Sequence, residues 1–337
     1  MSAFEGSLLF PRAPGAYARG MNTRRWVLLM ALLFSSASAT NAAEGTGIRF
    51  SSVTSTDGVV LSVSESGPRE APAVLFLHGI GQSRTSWRRQ LESPLAQRVR
   101  LVAMDLRGHG DSGKPAAPEA YRRACQWADD VRAVREALGL ERPVLVAWSF
   151  GGLVAMNYVR CEGAGSLAGL ALVATSGGRL VPTTPTGAAQ ARLASRDMLA
   201  SDLRLHLAGA RAFARLMTAS APDAAWEQET VAALLQLPAY VRRAMEGGQY
   251  GPTGEPITSN EDLTPQLTLP MLVVTGGRDG LNDGHALAET YRARFPAARV
   301  VEYPESGHSP FAEAAERFNA DLEAFVNAAR SAPRTGD

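Results

Sequence analysis

Lysine is nearly absent from this chain: of 34 basic residues, Lys114 is the single lysine and the rest are arginine. With 33 acidic residues the formal net charge is only +1. That balance offers no basic field for a polyanion, so a nucleic-acid partner is excluded. Arginine in place of lysine, with abundant alanine, points to a GC-rich bacterial genome. Histidine (five) and cysteine (two) are scarce as well. No two of them stand at metal-ligand spacing, so no metal is expected. Internal repeats and low-complexity tracts are missing too.

A membrane-spanning run is also missing. "MNTRRWVLLMALLFSSASATNAAEG", opening at Met21, has two arginines, then an apolar run from Trp26 to Phe34, about 9 residues where a spanning helix needs roughly 20. Small residues follow, with Ala-Ser-Ala and Thr-Asn-Ala cleavage options. This is the layout of a secretory signal peptide. Residues 1–43 are expected to be a leader, with the signal peptide at about 21–43. The mature protein is then periplasmic or secreted, without stable membrane insertion. No cysteine follows the run, which argues against a lipoprotein. Residues 1–20 fit either an upstream start or a long leader. Residues 1–42 carry four arginines against one glutamate, so the rest of the chain has a net charge near −2.

With 45% hydrophobic residues the chain can bury a substantial core. From Ile48 onward, short apolar runs alternate with helical patterns. "VLFLHG" (74–79), "LVAMDL" (101–106), "VLVAWS" (144–149), "LALVAT" (170–175) and "MLVVTG" (271–276) predict buried parallel strands. Trp127, Val131, Val134 and Leu138 repeat at helical spacing with Gly139 beyond. Ser309 and Pro310 open a helix whose Phe311, Phe318, Leu322 and Phe325 share a face. Such alternation implies an α/β fold, a mostly parallel sheet covered by helices on both faces. Between Gly178 and Gln266 only helical patterns are found. The expected organisation is a core of 46–178 and 266–331 with a helical lid of 179–265. The lid's Leu207, Phe213, Met217, Trp226, Leu235, Tyr240 and Met245 are expected mostly in its own core, a minority lining a pocket.

In "VLVAWSFGG" a strand runs into small-x-Ser-x-Gly at the start of a helix. Such a nucleophile elbow holds a serine hydroxyl above the sheet on a strained turn. Ala147 and Gly151 flank Ser149 where bulk would not fit. A serine hydroxyl needs a positioned base and a group orienting that base. "MLVVTGGRDGLND" puts Asp279 just beyond a strand end, with Asp283 the rival acid, and "VVEYPESGHSPF" puts His308 in the loop after the next strand. Donors for a developing oxyanion come from the backbone N–H of Phe150 and of Ile80, with Gly81 the alternative to Ile80.

Taken together, "HGIGQSRTSW", "DLRGHGDSGKP", "AWSFGG", "GGRDGLND" and "SGHSPF" resemble the α/β-hydrolase superfamily, in particular its serine-nucleophile esterase and non-haem haloperoxidase (perhydrolase) branches. Ala147 departs mildly from the glycine usual there. The resemblance implies a cofactor-free hydrolase with Ser149, Asp279 and His308 at the triad positions, Ile80 and Phe150 at the oxyanion hole, and a small or medium apolar ester, lactone or thioester as substrate. Perhydrolysis and carbon-carbon bond hydrolysis stay open as alternatives, as does a ligand-binding receptor on the same fold. An aspartate nucleophile would have indicated a dehalogenase or epoxide hydrolase, and Ser149 argues against both.

Other polar residues are read as scaffold. Asp105, Arg107 and His109 sit in a strand-to-loop turn and resemble the family's fold-fixing hydrogen bonds. His78 is read as a loop clamp, His206 as a satisfied or surface histidine, and His285 as exposed. Cys125 and Cys161 are expected to be free thiols. Helices starting level at the strand ends would put these two residues about 18 Å apart, beyond the roughly 7 Å a bridge tolerates.

Overall fold

The computed structural model describes residues 47–220 and 223–331. The expected leader lies outside the described residues. The strands are β1 (Arg49–Thr54), β2 (Val60–Ser66), β3 (Ala73–Leu77), β4 (Arg100–Met104), β5 (Val144–Trp148), β6 (Gly169–Val173), a two-residue pair β7 (Gln249–Tyr250) and β8 (Pro256–Ile257), β9 (Met271–Gly276) and β10 (Arg299–Tyr303). The helices are α1 (Arg88–Leu91), α2 (Ala124–Ala137), α3 (Phe150–Glu162), α4 (Ala188–Asp197), α5 (Leu203–Leu216), α6 (Ala224–Gln236), α7 (Ala239–Glu246), α8 (Gly284–Arg294), α9 (Pro310–Glu313) and α10 (Ala315–Ser331).

Eight strands form one sheet in the order β1-β2-β4-β3-β5-β6-β9-β10. β2 runs antiparallel to β1 and β4, and the remaining pairs are parallel. β4, β5, β6 and β9 are buried along their whole length, which explains why they read as unbroken apolar runs. Alternation along β5 divides the core: Leu145 and Ala147 join the side packed by α2, α3 and α8, while Val144, Val146 and Trp148 join the side packed by α10 and α5.

The interval 179–265 holds α4 to α7. Asp202 caps α5 by accepting the N–H groups of Arg204 and Leu205, and Asp223 caps α6 by accepting that of Trp226. This interval is not purely helical, since β7 and β8 pair within it. Phe213 and Met217 are buried, whereas Leu235 and Tyr240 are exposed, so two of the seven apolar residues lie outside the core. Tyr240 still ties the segment down, its hydroxyl donating to the Lys114 carbonyl at 2.7 Å.

The free-thiol expectation is overturned: Cys125 and Cys161 form a disulfide, with their Cα atoms 5.5 Å apart. The premise of level helix starts is what fails. Residues 105–123 carry the chain away from the end of β4 before α2 begins. The Arg122 carbonyl there accepts the Tyr250 N–H, and the adjacent Gln249 holds Asn157 in the second half of α3. Arg132 of α2 likewise reaches Glu162 at the end of α3. The first turn of α2 therefore lies against the last turn of α3.

Candidate active site

Ser149 sits between β5 and α3 with φ 53° and ψ −116°, a conformation that a non-glycine residue keeps only when its surroundings enforce it. Its N–H donates to the Val173 carbonyl at 3.0 Å, and its carbonyl accepts the Thr175 hydroxyl at 2.7 Å. The glycines after it are required by close approach. A Cβ on Gly151 would stand 2.7 Å from the Leu77 carbonyl oxygen, and one on Gly152 2.4 Å from the Thr175 hydroxyl. The pair of glycines after the serine is visible in the sequence, but the contact of Gly152 with Thr175 and the bond from the Thr175 hydroxyl to the Ser149 carbonyl are not.

The loop after β10 delivers His308. Its Nε2 lies 2.9 Å from Ser149 Oγ and its Nδ1 2.8 Å from Asp279 Oδ2. A carboxylate can only accept, so Nδ1 carries the proton and Nε2 faces the serine as an acceptor. Asp279 Oδ1 accepts the N–H groups of Leu281 (2.7 Å) and Asn282 (3.2 Å), which aims Oδ2 at the imidazole. Asp283 is engaged elsewhere, its Oδ1 accepting the Ala286 N–H and capping α8. Of the two acids, the structure brings Asp279 to His308 and leaves Asp283 out.

Two further contacts set the histidine. Trp148 Nε1–H donates to the His308 carbonyl at 2.7 Å. Glu313 accepts the Gly307 N–H at 2.9 Å and the Ala219 N–H at 2.8 Å, clipping the histidine loop to the 179–265 segment. Burial pushes the Glu313 carboxyl above its usual range, against the pull of those donated N–H groups. Neither role was evident from sequence.

Facing Ser149 is the loop after β3. A Cβ on Gly79 would lie 3.2 Å from Ser149 Cβ, so the next amide, that of Ile80, borders Ser149. Phe150 opens α3, and the N–H of a first helical residue has no partner within its helix. Neither amide donates to another group among the described residues. His78 clamps this loop, Nδ1–H donating to the Gly79 carbonyl (2.8 Å) while Nε2 accepts the Leu106 N–H (3.0 Å). Burial pushes His78 down to about 4, so it is neutral there.

The "DLRGHG" residues are spent on scaffold. Asp105 accepts the Arg84 and Asp111 N–H groups and pairs with the Arg84 guanidinium. Arg107 grips Asp130 with two bonds of 2.6 and 2.7 Å and also holds Asp57. His109 Nδ1–H donates to the Arg107 carbonyl. His285 is exposed beside Glu302, and His206 lies half-buried on α5.

Known proteins share this architecture. A crystal structure of a protein from Burkholderia cenocepacia, described as a candidate aryl esterase, is 37% identical with a TM-score of 0.75, covering 84% of this chain and all of that one. The esterase RhEst1 from Rhodococcus sp. ECU1013 is 27% identical with a TM-score of 0.69, covering 82% and 98%. Mouse epoxide hydrolase 4 is 38% identical over 95 residues, which is 28% of this chain and only about a quarter (26%) of that protein's length. The model of the alpha/beta hydrolase family matches residues 74–321, and the chain belongs to that family of hydrolases.

Proposed function

We propose that the chain is a serine hydrolase that cleaves an ester, lactone or thioester of a small or medium, largely apolar substrate through an acyl-enzyme. The observation that carries this reading is the hydrogen-bonded series Ser149 Oγ, His308 Nε2, His308 Nδ1, Asp279 Oδ2, with links of 2.9 and 2.8 Å. His308 takes the hydroxyl proton as Ser149 attacks the carbonyl carbon, and the ionised Asp279 stabilises the imidazolium that results. The negative charge moving onto the carbonyl oxygen meets the amides of Ile80 and Phe150. Each such donor is worth about 3 kcal/mol in the transition state where it has been removed from other enzymes. His308 then gives its proton to the leaving group. Water repeats the sequence on the acyl-enzyme and releases the acid.

The esterase reading is favoured by the whole-length likeness to the Burkholderia and Rhodococcus proteins. The epoxide hydrolase likeness is confined to part of the chain, and the elbow carries a serine. Perhydrolysis and carbon-carbon hydrolysis would use the same residues. A fluorophosphonate that labels Ser149, with a panel of p-nitrophenyl esters from acetate to dodecanoate, tests the proposal. No labelling and no turnover across the panel would reject it in favour of a ligand-binding receptor.

We also propose that the protein is exported. The disulfide supports this, because such bonds persist in oxidising compartments. A mature N-terminus between Thr40 and Glu44, read by mass spectrometry of the periplasmic fraction, is the expected result. An intact leader in the cytoplasm would reject it.

A further inference from the structure

Arg242, on α7, is 2% exposed, yet no carboxylate pairs with it among the described residues. Its single polar side-chain contact among the described residues is Nη2 to Met198 Sδ at 3.6 Å, and a thioether is a weak acceptor. Glu246, one turn further on, is exposed and acts on it only through space. The other buried arginines among the described residues are committed, Arg100 to Glu65 and Arg107 to Asp130 and Asp57, and half-buried Arg84 pairs with Asp105. Leaving a guanidinium in the interior without a counter-charge is costly unless a ligand supplies one.

Its position says which ligand. A Cβ placed on Gly81 would stand 3.2 Å from Arg242 Nη2, while one on Gly79 would stand 3.2 Å from Ser149 Cβ. The loop 79–81 thus has the nucleophile at one end and the guanidinium at the other, and two residues of chain span at most about 7 Å. Gly81 has φ +67°, and any side chain there would run into the guanidinium and Leu234. His109, whose Nε2 lacks a hydrogen-bond partner, lies close enough to be held neutral by its burial and, in part, by the Arg242 charge.

We propose that Arg242 is a specificity-determining residue that pairs with a carboxylate on the substrate, so that the preferred ester is an otherwise apolar one bearing an anionic group a few bonds from the scissile carbonyl. This rests on the serine-hydrolase reading for the identity of the reacting group, but not for the anion site itself. The acid-bearing half can be the acyl or the alcohol half, and the test covers both.

Two ester pairs serve: 4-nitrophenyl hydrogen glutarate against 4-nitrophenyl pentanoate, and 4-acetoxybenzoate against 4-acetoxybenzamide. In at least one pair the wild type should favour the anionic member in kcat/KM. Arg242→Gln should lower that member by on the order of tenfold to a hundredfold, the weight of a charge-assisted pair, and leave the neutral member within about threefold. Arg242→Lys, which keeps the charge without the fork, should fall between. Equal loss on both members, or no preference in the wild type, would overturn the proposal. Thermal unfolding of Arg242→Gln at or above the wild-type midpoint shows that the fold survives. Should Ser149 resist the fluorophosphonate and every ester stay intact, the hydrolase reading fails by itself. Calorimetric titration of glutarate and of benzoate then decides Arg242. Saturable binding that disappears in Arg242→Gln sustains it, and identical heats in the two proteins remove it.

Discussion

Removing the Cys125–Cys161 bridge should destabilise the protein without disabling its chemistry. The two cysteines are 36 residues apart in sequence. Closing a loop of that length takes about 13 cal/mol/K from the entropy of the unfolded chain, or about 3.8 kcal/mol at 25 °C. Both cysteines are half-buried at helix ends, so serine at each position opens little cavity and the lost cross-link dominates. At about 2–4 °C per kcal/mol for a large domain, the midpoint should drop by about 10 °C. Ser149 stands at the opposite end of α3 from Cys161, about 18 Å along the helix, so the rate of fluorophosphonate labelling should not change. Urea unfolding of oxidised wild type and Cys125→Ser/Cys161→Ser, with thiol titration of both, measures this. A double variant within about 1 kcal/mol of a wild type shown to be oxidised would refute the cross-link argument. Two titratable thiols in wild type from the periplasm would refute the bridge.

Ser149→Ala should abolish turnover, by on the order of a millionfold, with the midpoint of unfolding kept; activity within about tenfold of wild type would move the nucleophile elsewhere. Asp279→Asn should cut kcat sharply because Nδ1–H of His308 loses its acceptor. Asp283→Asn should leave kcat unchanged and the urea midpoint close to wild type, within about 0.5 kcal/mol, because the asparagine amide oxygen can still accept the Ala286 N–H and cap α8. His78 gives a pH dependence of stability. The folded form stays neutral down to about 4, whereas the unfolded imidazole protonates from about 6.5. Between those values the unfolded state binds more protons, so stability drains as pH falls, by about 3 kcal/mol in all. Urea midpoints at pH 7 and pH 4.5 should converge in His78→Gln relative to wild type, and an unaltered pH slope would reject the assignment.

The sheet was legible because five of its strands are buried on both faces and so appear as apolar runs bounded by turns. β1 was not, since its residues Phe50 to Ser52 and Thr54 are exposed at an edge and leave no hydrophobic alternation to read. The residues at the site were legible for a different reason. A serine at φ 53° tolerates only small neighbours, and acid and base must follow successive strands, so both constraints leave marks in local sequence. The disulfide escaped because it depends on where α2 starts in space. That is decided by residues 105–123 and by the partners they find in the 247–250 turn, contacts between segments far apart in the chain.

The same distinction accounts for Arg242. "YVRRAM" offers two adjacent arginines, and helical periodicity alone cannot say which of them faces inward. Arg243 is exposed and Arg242 enclosed, because α7 is pinned from two sides. Val241 meets the Gly108 turn, and the Tyr240 hydroxyl holds the Lys114 carbonyl. Ser149 is held by backbone and core, through the Val173 carbonyl, the Thr175 hydroxyl and the close-packed Gly151 and Gly152. The 179–265 segment above it is fastened by isolated polar clips such as Glu313, Asp223 and Tyr240 rather than by the sheet. Reaction type is therefore written into local motifs. If Arg242 does pair with a substrate carboxylate as proposed, substrate choice depends on how the 179–265 segment packs over the 79–81 loop, where a Cβ placed on Gly81 would lie 3.2 Å from the Arg242 Nη2.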